Sequence, residues 1–95
     1  MIVLNVTYQC IPGMREKFLE AIRTEGIAAA SRGEAGNCKY DYYLPVADNG
    51  CELLLVEKWQ DAAALAEHRT LPHFASLGEI KVDYVTDTSI ELFEV

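Results

Sequence analysis

The turn Asp48-Asn49-Gly50 constrains this chain most, because it lies between two runs of strand character, Cys38 to Leu44 and Cys51 to Trp59. A turn signal of this kind between β-rich runs closes a hairpin, so residues 38 to 59 are expected to pair antiparallel. Tyr40 and Tyr42 then share one face with Tyr43 on the other, and Pro45 ends the first run because it has no N–H for a ladder. Upstream, Ile2, Leu4, Val6 and Tyr8 alternate with Val3, Asn5 and Thr7, so residues 2 to 9 read as a strand. Pro12-Gly13 breaks that period. Met14, Phe18, Leu19 and Ile22 then recur at helical spacing as far as Arg32-Gly33, a basic last turn followed by a terminating glycine. Gly26 inside this helix costs about 1 kcal/mol relative to alanine, which suits a kink, a close approach or a plain weak spot. Beyond the hairpin two short helices are expected, and Val82 to Val95 returns to β character with a break near Asp87.

The order β-α-β-β-α-β predicts an α+β fold, the ferredoxin-like split β-α-β arrangement of a four-stranded antiparallel sheet with helices on one face. Leu53 and Leu55 oppose Leu54 and Val56 across the third strand, and Ile90 and Leu92 oppose Phe93 and Val95 across the last. A sheet apolar on both faces needs a second cover that this helix content does not supply, so sheet-to-sheet dimerisation is expected. Length points the same way, since a chain of 95 residues buries only roughly 60 to 65% of its unfolded surface. No internal repeat or linker is visible, and residues 1–95 read as one domain.

A formal charge of −7 argues against nucleic acid or an anionic membrane as partner, since both require a cationic footprint. The start Met1-Ile2-Val3-Leu4-Asn5 has no basic segment before an apolar run and reads as a strand rather than a signal peptide. No stretch reaches transmembrane length. Cys10, Cys38 and Cys51 are odd in number and far apart, so neither a disulfide framework nor a thiolate zinc site is indicated, and a reducing cytoplasm is the expected location.

The residues that can carry chemistry gather between Glu57 and Phe74. Glu57 and Trp59 share a strand face, and Leu65 and His68 share a helix face, so a carboxylate, an indole and an imidazole can converge. Asp61 is placed to cap the first helix, and Thr70 before Leu71-Pro72 to start the second. His68 on the apolar side of its helix suits a base or a hydrogen-bond donor, and equally a satisfied structural histidine. Trp59 suits core as well as ligand wall, and Glu57 an ion pair as well as a polar cavity. Tyr40 and Tyr42 can line a pocket for a flat aromatic ligand or simply pack. Asn5 is an interior amide that needs partners. His73 follows Pro72 in a first helical turn, where capping or surface placement is expected. Five residues and a proline separate His68 from His73, which is not the spacing of a helical zinc pair, so no metal site is expected. No glycine-rich phosphate loop, flavin or nicotinamide motif appears.

The pattern Glu57-x-Trp59-x-Asp61 followed by Leu65, His68 and Pro72-His73-Phe74 resembles the antibiotic-biosynthesis-monooxygenase family of small dimeric α/β-barrel proteins, in particular its quinol-monooxygenase-like branch. Gly36-Asn37-Cys38-x-Tyr40 resembles the family's entry to its second strand, and Pro12-Gly13 its turn before the first helix. The resemblance implies a homodimer that oxidises a small electron-rich phenol, quinol or anthrone-like substrate with O2 and no cofactor. On that reading His68 is base or anion stabiliser, Asn5 a hydrogen bonder, and Trp59, Phe74, Tyr40, Tyr42, His73 and Glu57 contribute to substrate binding. Two other readings stay open: isomerisation of a small phosphorylated sugar, since Gly36-Asn37 and His68 to His73 also resemble autoinducer-2-processing members, and a non-catalytic ligand-binding dimer. The haem-degrading branch is a poor match, because His68 and Leu77 stand where it has tryptophan and a ligand histidine.

Overall fold

The structure, a computed structural model, describes residues 1–95. Strands β1 (Ile2–Cys10), β2 (Asn37–Tyr43), β3 (Glu52–Trp59) and β4 (Val85–Glu94) form one antiparallel sheet in the order β2-β3-β1-β4. Helices α1 (Arg15–Thr24), α2 (Ile27–Arg32), α3 (Ala62–His68) and α4 (Pro72–Tyr84) complete the α+β, ferredoxin-like fold. Alternation sets the layers. Even residues of β1 and odd residues of β3 from Leu53 to Trp59 are buried, while the residues between them are half-buried on the other face. The helices lie against the buried face, where Phe18 meets Tyr8 edge-on at 5.3 Å.

The expected hairpin forms, and its turn is held by side chains. Asn49 Oδ1 accepts from Cys51 N–H, Asp48 Oδ1 accepts from Gly50 N–H, and Gly50 takes a φ of 84° that any other residue would resist. Arg15 donates to both oxygens of Asp48, at 2.6 and 2.8 Å, tying α1 to the hairpin. The Arg15 fork, helped by Gly50 N–H, holds the Asp48 carboxyl below the usual carboxylate range, at about 2. A carboxyl with a folded pKa below its unfolded value contributes stability above the unfolded value, and that stability disappears as pH falls through the folded one. The difference in urea midpoint between wild type and Asp48→Asn is therefore expected to be constant above about pH 4 and to close towards about pH 2. A difference that persists unchanged at pH 2 would remove the ion pair from the account.

Three boundaries differ from expectation. The single helix expected from Met14 to Gly33 is two helices, because Gly26 sits at φ 66° and breaks the run. An added Cβ at Gly26 would meet nothing within 4 Å, so backbone conformation and not close packing explains the glycine. Thr70 does not start α4; its hydroxyl donates to Glu67 C=O and closes α3, and Pro72 opens α4 after Leu71. Finally, α4 runs to Tyr84, through residues expected to be β. The break expected near Asp87 has a counterpart, since Gln9 pairs with Asp87 but Cys10 pairs with Val85, leaving Thr86 as a bulge.

Gly36 is required by contact. A Cβ there would lie 2.3 Å from the Cβ of Ala64 on α3, so the segment entering β2 packs directly on that helix. Gly36→Ala is expected to lower stability by about 1 to 3 kcal/mol through this overlap. Adding Ala64→Gly should restore part of the loss in thermal melts; an unaffected single variant would show that the two segments have room to part.

Candidate active site

The sheet register brings the residues of the site together. Glu57 pairs with Leu4 on β1 and Tyr40 on β2, and Trp59 pairs with Ile2, so all lie on the helix side. Asp61 caps α3 by accepting from Ala64 N–H at 2.9 Å, which sets the helix so that Leu65 and His68 turn inward. His68, 2% exposed, packs against Trp59 with ring centroids 4.4 Å apart and the planes tilted by 37°. Tyr40 and Phe74 approach the same imidazole, at 6.0 and 5.4 Å.

A cavity of about 140 Å³ opens beside these groups, with Tyr40, Glu57, His68 and Phe74 in its wall together with Leu4, Val6, Tyr8 and Leu77. Arg69 and Lys81 line it too, and neither forms an ion pair within 4 Å. A larger groove of about 460 Å³ along α1 and α2 contains no histidine. The smaller cavity has the chemistry.

Glu57 accepts from Trp59 Nε1 at 3.1 Å, which satisfies the indole N–H that the core would otherwise orphan. Burial pushes its carboxyl up, opposed by the Trp59 bond and by the neighbouring His68 and Arg69. Glu57 Oε1 is 4.0 Å from His68 Nε2. On the other side of the ring, His68 Nδ1 is 2.6 Å from Glu34 Oε2, and His73 Nε2 reaches the same oxygen at 2.8 Å. A carboxylate oxygen only accepts, so each of these nitrogens carries its proton towards Glu34. Burial raises Tyr40 to about 12, so its hydroxyl remains protonated at neutral pH.

Not every expected residue joins this group. Asn5, expected as a hydrogen bonder in the site, instead pairs with Val56 and Glu91 on the opposite face of the sheet and does not line the cavity. Side-chain period alone could not show which face of β1 meets Glu57; the strand register decides it. Tyr42 packs edge-on to Tyr40 at 6.0 Å but borders the larger groove. Trp59 is fully buried behind His68 and forms support rather than cavity wall. His73 binds Glu34 instead of capping a helix or facing solvent, and does not line the cavity.

Glu34 is the residue that sequence reasoning missed. It lies in the short connection between α2 and β2, one of 15 acidic residues with no motif around it. Only the close packing at Gly36 brings that connection against α3. His68 and His73 do not share one helix, as their spacing indicated, but the helix break at Thr70 to Pro72 folds both onto one carboxylate.

Comparison with known proteins agrees with this architecture. Residues 1–79 match the profile of the family described as "Antibiotic biosynthesis monooxygenase". A Bacillus subtilis (strain 168) protein named "Putative monooxygenase YcnE" is 36% identical over 74 residues, covering 78% of this chain and 75% of that one. Among solved structures, PA3566 from Pseudomonas aeruginosa superposes with a TM-score of 0.87 at 26% identity, covering 99% of this chain and 92% of that one. A Bacteroides thetaiotaomicron protein of unknown function, titled a possible oxidoreductase, gives 0.86 at 31% identity over 99% of this chain and 96% of its own. The match over most of the chain, on a fold and a motif that agree with it, shows that this chain belongs to the antibiotic biosynthesis monooxygenase family.

Proposed function

We propose that the protein is a homodimeric monooxygenase that oxidises a small phenol, quinol or anthrone-like substrate with O2, the substrate supplying the electrons and no flavin or haem taking part. The observation that carries this reading is the Glu34–His68 contact of 2.6 Å at Nδ1, which leaves Nε2 as the proton-accepting nitrogen on the side of Glu57 and the cavity. His68 Nε2 takes the proton of the phenol or carbon acid, and the anion gives an electron to O2. Recombination places one oxygen atom on carbon; the other leaves as water with two hydrogens from the substrate. Leu4, Val6, Leu77 and Phe74 keep the cavity apolar around the reactive pair. Tyr40 supplies a neutral hydroxyl donor.

The dimer completes the other side of the sheet. Leu54, Val56 and Val3 are only half-buried there, and Phe93 is 47% exposed. Ile90 and Leu92 face the helix side, yet both stay exposed. Such a surface suits a second copy of the chain.

A screen of quinols, anthrones and phosphorylated sugars under ¹⁸O₂ with mass detection tests the reading. One labelled oxygen in the product and one in water is the expected result. Arg69 and Lys81 in the cavity wall favour an anionic substrate as the second reading, in which case a phosphorylated sugar is isomerised with no label incorporated. Label in neither product nor water, with all three classes unchanged, would leave a binding protein.

A further inference from the structure

We propose that Glu34, His68 and His73 form a binding site for one divalent transition-metal ion, zinc being the simplest occupant. The three donor atoms lie within 4.8 Å of one another and come from three segments, the α2–β2 connection, the end of α3 and the first turn of α4. Two imidazoles and one carboxylate suit zinc, iron or cobalt rather than calcium or magnesium, which prefer oxygen ligands.

Charge supports the assignment. Glu34 and Glu57 are nearly buried, with side chains 12% and 9% exposed, and neither has a Lys or Arg within 4 Å; their ionic partners are imidazoles alone. A divalent cation between the two histidines balances this carboxylate pair in a way that neutral imidazoles do not. Glu57, which accepts from Trp59 Nε1, lies 4.0 Å beyond the far nitrogen of His68 and puts a second carboxyl group on that side of the ring.

The hydrogen-bonded distances of 2.6 and 2.8 Å must widen, because ligands about 2.0 to 2.1 Å from zinc in a tetrahedral arrangement stand roughly 3.3 Å apart. His68 is fixed in the core, but His73 and Glu34 are 15% and 12% exposed and give both the freedom and the entry path. Three protein ligands leave a fourth position for water. On binding, the proton on His68 Nδ1 moves to Nε2 and the His73 proton moves to its other nitrogen, so no redox step is involved.

This last consequence rests on the proposed function: with Nε2 protonated, His68 can no longer act as a base, and the metal inhibits. The test starts from chelator-treated full-length protein titrated with zinc by calorimetry and with Co(II) by visible absorption. The expected result is one ion per chain, with binding weakened at least about 10-fold in both His73→Ala and Glu34→Gln. His73→Ala removes a ring that is 15% exposed and Glu34→Gln keeps the side-chain shape; circular dichroism confirms that each is folded. Zinc held no more tightly than about 1 mM, or equally by wild type and both variants, overturns the site. Turnover is read separately. Tight zinc binding that leaves turnover intact keeps the metal site and removes His68 as the base.

Discussion

Replacing His68 by asparagine is expected to lower turnover per folded molecule by roughly 10²-fold or more, with little change in thermal midpoint. Asparagine keeps approximate size and can still donate to Glu34, but it cannot take a proton near neutral pH. The environment makes the variant informative, because His68 is simultaneously the ring that packs against Trp59 at 4.4 Å and the donor to Glu34 at 2.6 Å. If those contacts are its whole role, the pattern reverses: stability falls by about 1 to 3 kcal/mol from the disturbed buried bonds, and turnover per folded molecule survives. Melting and turnover measured on one preparation separate the two, and retained turnover in a destabilised variant would mean that the base lies elsewhere.

A pair of substitutions one residue apart on β3 is expected to have opposite consequences. Leu55→Asp places a carboxylate at a position with no exposure at all, an unpaired buried charge that costs about 4 kcal/mol or more and should leave the chain unfolded. Leu54→Asp lies on the other face, half-buried beside Val56. There the chain should fold as before, while symmetry brings the new charge into the interface from both copies and splits the dimer. Sedimentation equilibrium with circular dichroism reads both results. A folded Leu54→Asp dimer as tight as wild type would move the interface off this face of the sheet.

Local chemistry in the sequence determined the elements. The Asp48-Asn49-Gly50 turn, the two-residue period of β1 and β3, and Asp61 as a cap each act within a few residues, so pattern alone specified the hairpin, the strand faces and the start of α3. The inward turn of His68 was visible for the same reason, from its spacing to Leu65. Gly26 was visible as a weak point, but whether a glycine bends a helix or ends it depends on the φ it adopts, and that follows from what the two flanking helices pack against. Where α4 gives way to β4 was equally out of reach, since Val82 to Tyr84 suit either state and the packing of Tyr84 on Phe18 favours helix. The site itself depended most on tertiary structure. Asn5 fell on the wrong face because strand register, not strand period, decides what lies opposite Glu57. Glu34 entered because Gly36, where a Cβ would lie only 2.3 Å from the Cβ of Ala64, lets the connection press against α3. A carboxylate 34 residues from one histidine and 39 from the other leaves no periodic trace in the chain, and only the folded backbone places it between them.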